Sequence, residues 1–295
     1  MEEITLVTAL ALLALGLVAS SYGVLIGSGG GFIVSPMLLL LFQMEHNVAV
    51  GTSLVVVFLA SLSGSISFLR LRRIDLRSGL LFAMAAIPGV ILGVVGVSAV
   101  TGNTFKVAFG VVLGLMGLAV LVRPFPFSEQ SDGHLVNGSC VSRKDSEPVL
   151  SRPRFGMTTR RIITAEKRVY QYSFLAPAAA AVNLVFGFTS GFFGIGGGPL
   201  RTPTLVYAFR FPVHISVATS VFTQSISTGV GSIGHLINGN VSIPASLLLG
   251  AGVVVGAQIA VRLSRIVEAK WIMRLLASTL LVVSIQLIFG GLEAA

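Results

Sequence analysis

The chain has 295 residues, of which 54% are hydrophobic and only 11% are charged, and its mean hydropathy is +0.93. Because soluble domains carry about 25% charged residues, this composition excludes an ordinary soluble protein. The net charge of +9 does not indicate nucleic-acid binding, since the basic residues of membrane proteins collect in their cytoplasmic loops.

Apolar runs of nearly the ~20 residues that a spanning helix needs follow one another along the chain. They cover residues 4–26, 47–69, 76–100, 104–122, 173–193, 214–237, 243–261 and 271–290. The alternation that is typical of barrel strands is absent from these runs. The sequence therefore predicts an all-α polytopic membrane protein with three parts, namely a first transmembrane repeat (1–122), a polar, irregular and basic linker (123–172) and a second transmembrane repeat (173–295).

The two predicted repeats align at an offset of 167 residues. The stretch GSGGGFIVSP, residues 27–36, falls on GIGGGPLRTP, residues 194–203, and a later TS pair recurs at the same offset. Each half is predicted to contain about five segments. The segments after the glycine runs, 32–42 and 199–209, have 11 residues each, about half the length that crosses a ~30 Å hydrocarbon core.

Corresponding loops of the two halves carry opposite charge biases. Residues 70–77 contain four arginines while their counterpart, 237–244, has no charge. Residues 98–106 contain a single lysine, whereas residues 262–274 contain four basic side chains. Because basic loops face the cytoplasm, the two repeats are predicted to be inverted relative to each other, with a cytoplasmic linker and both termini outside.

The glycine runs are predicted to end one helix and begin a half-length helix inside the membrane. Such a break leaves backbone N–H groups without partners, which is tolerated where they line a cavity or meet a ligand. The positive end of a helix favours an anion, and two converging breaks are typical of secondary transporters. Glycine also permits close helix packing, and this alternative stays open. The predicted binding glycines are Gly29, Gly30, Gly31, Gly196, Gly197 and Gly198, with Pro36 and Pro203 as structural or hinge residues.

Arg201 is predicted to bind an anion, because a charged residue inside a membrane segment is costly and a guanidinium suits oxyanions. The alternatives are that it reaches a membrane interface or pairs with a loop acid. No acidic residue lies deep in a predicted helix, which disfavours a cation carrier.

Further polar residues near the breaks are predicted to donate hydrogen bonds to the anion. For the hydroxyl groups, the alternative is a bond to a backbone carbonyl. His235 is a candidate for carrying a coupling proton, or is an interfacial residue. The predicted donors are Thr52, Ser53, Thr219, Ser220, Gln224 and Asn183.

The sequence has no nucleotide-binding glycine motif, no spacing typical of metal ligands and no arguable pair of nucleophile and base. It therefore predicts no cofactor, no metal and no enzymatic activity.

The duplicated pattern, GSGGGFIVSP followed by VAVGTSL and GIGGGPLRTP followed by SVATSVF, resembles the TauE/SafE family of membrane permeases. The resemblance implies a multi-pass protein of the cytoplasmic (inner) membrane that transports small sulfur-containing anions, such as sulfite, sulfoacetate or other organosulfonates. It also implies that the glycines and prolines named above are signature residues.

The leading hypothesis is a secondary transporter of a small oxyanion that works by alternating access within the lipid bilayer. Export is slightly favoured, because an inside-negative potential drives anions outward and no buried carboxylate is available to carry a proton. Two alternatives stay open: a non-transporting scaffold or receptor that docks a soluble partner through its basic linker, and an anion channel. The sequence also leaves open whether the protein forms a homodimer.

Overall fold

The computed structural model describes residues 6–100, 102–122, 134–135, 157–165 and 168–292. The first half contains α1 (Leu6–Leu25), α2 (Gly31–Leu40), α3 (His46–Arg70), α4 (Leu76–Gly96), a short 3₁₀ turn (Val97–Ala99) and α5 (Gly102–Val122). Three strands follow: β1 (His134–Leu135), β2 (Met157–Ile163) and β3 (Arg168–Leu175). The second half contains α6 (Ala176–Phe193), α7 (Gly198–Tyr207), α8 (Val213–Ile237), α9 (Ile243–Leu263) and α10 (Ala269–Leu292).

Seven helices in the described part of the chain are long and apolar enough to cross a membrane, which confirms an all-α polytopic membrane protein. They are α1, α3, α4, α5, α6, α9 and α10. The predicted run 214–237 forms α8, which is as long as α3 but is not among the seven. Ser and Thr recur along α8, and most of its polar side chains are buried. This helix therefore lies inside the helix bundle, where its polar groups meet other helices instead of lipid.

The order and length of the helices repeat between the halves. The residues at which α2, α3 and α4 begin and end lie 167 positions before the corresponding residues of α7, α8 and α9. The packing is reciprocal, since α1 packs against α9 while α6 packs against α4, and α3 packs against α8. Helices of each half therefore pack against helices of the other half. The inverted orientation and the three-part division of the chain stay predictions.

Three basic segments lie together at one end of the bundle. Nη1 of Arg73, in the α3–α4 loop, donates to the carbonyl oxygen of Ser264 at the end of α9, at 3.3 Å. The N–H of Ala165, between β2 and β3, donates to the carbonyl oxygen of Leu71 at 3.0 Å. Basic loops are expected on one side of the membrane, and the position of these segments at the same end of the bundle is consistent with that expectation. Which side faces the cytoplasm, and where the termini lie, stay predictions.

The sequence predicted an irregular linker, and this prediction is wrong for the described part. There, β2 and β3 form an antiparallel hairpin that runs into α6. Tyr170, Tyr172 and Phe174 alternate along β3 and are buried against the aromatic rings of Phe82 and Phe211. Burial of this face against the helix ends stabilises the strands. Because polar residues on the other face alternate with the aromatic residues of β3, the sequence did not predict this strand. The rest of the linker, 123–133, 136–156 and 166–167, lies outside the described residues.

Candidate functional site

Both glycine runs form breaks between helices, as predicted. The half-length helices α2 and α7 have 10 residues each and begin at Gly31 and Gly198, directly after the glycines. Glycine occupies the break positions because three residues of each run adopt positive φ angles, which only glycine takes up without strain. These φ angles are +84°, +68° and +93° at Gly27, Gly29 and Gly30, and +72°, +76° and +71° at Gly194, Gly196 and Gly197.

The two breaks meet in the interior of the protein. A Cβ atom on Gly31 would lie 2.8 Å from the carbonyl oxygen of Gly194, and one on Gly198 would lie 2.5 Å from that of Gly27. The breaks therefore converge, and the glycines also permit the close packing that the sequence left open. The two interpretations of the glycine runs are compatible.

The hydroxyls of the two TS pairs bind backbone groups across helix interfaces. Ser53 Oγ donates to the carbonyl oxygen of Gly194 at 2.8 Å, and Ser220 Oγ donates to that of Gly27 at 2.9 Å. In the same reciprocal way, Thr52 accepts from the N–H of Ser242 at 3.0 Å, and Thr219 accepts from that of Asp75 at 3.1 Å. The serine contacts are those of the alternative, a bond to a backbone carbonyl, whereas the two threonines accept from backbone N–H groups. The role of all four side chains in anion binding stays a prediction.

Gln224 lies between the two breaks. Its Nε2 donates to the carbonyl oxygens of Ser28 at 2.9 Å and Ile195 at 3.4 Å, one from each break. Its Oε1 is buried, and none of the described residues forms a hydrogen bond with it. The side chain therefore offers the site an acceptor, whereas the sequence predicted a donor.

Arg201 lies in the first turn of α7 and is fully buried. Its Nε donates to Oδ1 of Asn183 at 2.7 Å, and the amide of Asn183 is fixed in turn by donating to the carbonyl oxygen of Ala179 at 2.8 Å. Asn183 thus positions the arginine. The guanidinium is buried and bound to an amide. The structure therefore does not favour either alternative for Arg201, namely a position at the membrane interface or an acidic partner.

The remaining guanidinium nitrogens of Arg201, Nη1 and Nη2, are buried and have no hydrogen-bond partner in the described part of the chain. A Cβ atom on Gly197 would lie 3.6 Å from Nη2, so these nitrogens lie beside the second break. The positive end of α7 begins at the same place and adds to the positive potential. Chemically, the site offers a planar fork of N–H donors to an anion with two oxygen atoms.

This geometry can be compared with known proteins. The chain matches the family model described as Sulfite exporter TauE/SafE over residues 12–287. The chain belongs to the TauE/SafE family.

Several relatives of the chain are named as transporters. The probable membrane transporter protein YunE of Bacillus subtilis is 31% identical, and the alignment covers 95% of this chain and 97% of the relative. A probable membrane transporter protein of Methanocaldococcus jannaschii is 24% identical, with 91% of each chain covered. The probable membrane transporter protein YjnA of Bacillus subtilis is 25% identical, with 94% of this chain and 98% of the relative covered. No solved structure shows significant similarity. Together with TauE/SafE membership, these findings identify a membrane transporter rather than an enzyme.

The remaining predicted residues of this TauE/SafE protein lie near the breaks. His235 is fully buried, with Nε2 at 3.2 Å from the carbonyl oxygen of Gly191, and its Nδ1 has no hydrogen-bond partner among the described residues. Its role in proton coupling and the alternative of an interfacial position both stay predictions. Pro36 and Pro203 are buried inside α2 and α7, and their role as hinges stays a prediction.

The sequence did not predict a polar cluster that joins the hairpin to α4. The Tyr172 hydroxyl donates to Oδ2 of Asp75 at 2.8 Å, and Nε of Arg160 lies 3.8 Å from the same oxygen. Burial, reinforced by the negative charge of Asp75, raises the pKa of the Tyr172 phenol, so this group stays a donor. The alternating aromatic residues of β3 are the signal that could have found this cluster.

Proposed function

We propose that the protein is a secondary transporter that exports a small oxyanion, such as sulfite or an organosulfonate, across the cytoplasmic membrane by alternating access. The observation that carries this proposal is the fully buried guanidinium of Arg201 beside the second glycine break, whose Nη1 and Nη2 find no partner among the residues that the structure describes. Membership of a family described as sulfite exporters supports the choice of substrate and direction.

The energetic reason lies in the cost of a buried charge. An ion that leaves water loses several kcal/mol of solvation free energy, which is recovered only through a well-placed opposite charge and hydrogen bonds. Asn183 satisfies one guanidinium N–H of Arg201, and no carboxylate in the described part of the chain pairs with this side chain. An oxyanion would supply both the charge and the acceptors that the site lacks.

The two half-helices lead away from the breaks toward different surroundings, which supports alternating access. After α7, Phe211 packs against Tyr172 of the hairpin, with ring centroids 4.3 Å apart. After α2, the chain lines a cavity of about 420 Å³ together with Lys106 at the start of α5. Inverted repeats that rock against each other would open these two ends in turn.

Two physical arguments support export. An inside-negative potential drives an anion outward by about 2.3 kcal/mol per charge per 100 mV, so export needs no coupling ion. In the described part of the chain, the acidic residues Glu45, Asp75 and Glu268 lie just before helices instead of within them. The described helices therefore contain no carboxylate that could carry a proton inward.

The first test is ligand-induced stabilisation of the purified protein. A bound anion at 100 times its Kd should stabilise the protein by about 2.7 kcal/mol, seen as a higher melting temperature. We expect sulfite or a sulfonate to stabilise the wild type but not Arg201→Ala. The matched control is Arg265→Ala, which removes an exposed arginine and should leave the stabilisation unchanged. Equal stabilisation of wild type and Arg201→Ala would contradict the proposed site.

The second test is transport in proteoliposomes. A secondary transporter should show saturation and should exchange labelled for unlabelled anion, and a channel should do neither. We expect an inside-negative potential to accelerate efflux and to oppose uptake. Uptake against that potential would contradict export.

A further inference from the structure

We propose that Gln224 makes this site selective for oxyanions that also carry a hydrogen-bond donor, such as a hydroxyl group. The inference rests on the proposed function, because it assumes that an anion binds at Arg201.

The orientation of the Gln224 amide is fixed by its contacts. Nε2 has two N–H groups, and it lies within bonding distance of two carbonyl oxygens, those of Ser28 and Ile195. Turning the amide over would place Oε1 against both carbonyl oxygens and would leave Nε2 without acceptors. The free end of Gln224 is therefore an acceptor.

The free acceptor and the free donors lie beside consecutive residues at the start of α7. A Cβ atom on Gly198 would lie 2.8 Å from Oε1 of Gln224, and a Cβ atom on Gly197 would lie 3.6 Å from Nη2 of Arg201. Two consecutive glycines at the start of α7 are thus flanked by an unpartnered acceptor and by unpartnered donors. All of these atoms are buried and have no hydrogen-bond partner among the described residues.

The chemistry of the ligand follows from these two sets of atoms. A ligand whose polar atoms are all acceptors would satisfy Arg201 but would leave Oε1 of Gln224 buried and unpaired. A ligand with an added O–H or N–H group satisfies both. Sites built to bind a hydroxyl discriminate strongly against the analogue that lacks it, because their own polar group is then left unpaired. The substrate class is therefore a hydroxy- or amino-substituted sulfonate or carboxylate, or a singly protonated oxyanion.

The experiment compares ligands that differ by one hydroxyl group. Titration calorimetry on the purified full-length protein would measure the Kd of 2-hydroxyethanesulfonate and of ethanesulfonate. A second pair, 3-hydroxypropanoate and propanoate, repeats the comparison with a carboxylate. We expect the hydroxylated anion of each pair to bind at least tenfold more tightly to the wild type.

Gln224→Met removes the amide and keeps a side chain of similar length. We expect the ratio of the two Kd values to fall to about one in this variant. Gln258→Met is the matched control, because its amide binds the hydroxyls of Ser63 and Ser67 away from the breaks. It should keep the wild-type ratio. If Gln224→Met does not fold, the comparison of Kd values within the two ligand pairs in the wild type still tests the inference.

Equal Kd values within both pairs in the wild type would overturn the inference. So would a wild-type ratio that persists in Gln224→Met. In either case, binding that is lost in Arg201→Ala would leave the proposed function standing. If no anion binds, or if binding survives Arg201→Ala, the proposed function itself fails, and the inference fails with it.

Discussion

At the first break, the positions that correspond to Arg201, Gln224 and Asn183 are occupied by residues without polar side chains. They are Val34, Val57 and Gly16, each 167 residues earlier in the chain. The backbones of the two breaks nevertheless share the same three positive-φ glycines and the same serine contacts. The repeat thus reproduces the architecture of the break, while the side chains that suit a ligand occur in one half alone.

The backbone donors of the two breaks also differ. The N–H groups of Ser28 and Gly29 both donate to the carbonyl oxygen of Gly23, at 2.7 and 3.2 Å. For the corresponding N–H groups of Ile195 and Gly196, the described residues supply no such bond. Among the described residues, the second break therefore has fewer backbone N–H groups bonded to carbonyl oxygens than the first. We interpret the first break as the supporting half of the site and the second as the binding half.

Making the second break resemble the first should have the largest effect. We expect Arg201→Val to lower anion affinity at least 100-fold, because the charge and the fork of donors are lost. The empty variant should melt at a higher temperature than the empty wild type, since a buried and incompletely paired charge is removed. Calorimetric titration and thermal melts would measure both effects.

The control for this exchange is Val34→Ala at the corresponding position of the first half. It should change the Kd for the anion by less than about threefold. A similar loss of affinity in both variants would mean that the two breaks contribute equally, which would remove the distinction between a supporting and a binding half.

Because the two breaks share the same backbone conformation, substituting the corresponding glycines Gly30 and Gly197 should lower the free energy of unfolding by similar amounts. Gly30 and Gly197 both have positive φ angles, and a Cβ atom on them would lie 2.6 Å from the carbonyl oxygen of Ala19 and 2.8 Å from that of Phe186. We expect Gly30→Ala and Gly197→Ala each to lower the free energy of unfolding by about 3 kcal/mol, from backbone strain and crowding together. Denaturant unfolding in mixed micelles would measure this.

Gly239 provides the matched control, because it has a φ angle of +71° and a Cβ atom added to it would meet no other atom within 4 Å among the described residues. Gly239→Ala should cost about 1 kcal/mol from the backbone conformation alone. An equal cost at all three glycines would show that crowding at the breaks is unimportant.

The reciprocal serines test whether hydroxyls contribute to the site or only to the breaks. We expect Ser53→Ala to lower the free energy of unfolding by about 1 kcal/mol, because it removes the hydroxyl donor of the Gly194 carbonyl oxygen. Ser220→Ala should cost less than about 1 kcal/mol, because Thr202 Oγ1 still donates to the Gly27 carbonyl oxygen at 3.3 Å. Neither should change the Kd for the anion more than about threefold. A tenfold weaker affinity in Ser220→Ala alone would identify Ser220 as a ligand of the anion.

The smallest effect concerns the hairpin, which has no counterpart in the described part of the first half. Asp75 corresponds to Ser242, and only Asp75 receives a tyrosine hydroxyl. Tyr172→Phe should lower the free energy of unfolding by about 1 kcal/mol near neutral pH. Because the pKa of Tyr172 is raised in the folded protein, the wild type keeps this advantage below about pH 10 and loses it as the pH rises further.

Melting temperatures of wild type and Tyr172→Phe between pH 8 and 11 would measure this dependence. A difference between the two proteins that grows above pH 10 would contradict the assignment.

The features that depend on local sequence could be predicted. The glycine runs predicted the first residues of α2 and α7 to within one residue. The positive φ angles that glycine adopts and the repeat both constrain where these helices begin. Arg201 could be singled out as a site residue, since a charge in an apolar segment demands an explanation.

The roles of the amides could not be predicted, because an amide carries both donors and an acceptor. Gln224 presents its oxygen only because two carbonyls from distant segments occupy its nitrogen. Likewise, Asn183 acts through Arg201, a contact that no spacing in the sequence reveals. The hairpin was missed because its buried face depends on rings from α4 and the loop after α7.

The reciprocal bonds of Ser53 and Ser220 have a consequence for how such a chain could arise. Among the described residues, the hydroxyl donors to the carbonyl oxygens of Gly27 and Gly194 come from the opposite half of the chain. A half-length ancestor would have needed a second copy of itself to complete either break. Gene fusion would then have joined two subunits that already depended on each other, and the two halves could afterwards differ at equivalent positions, as Val34 and Arg201 do.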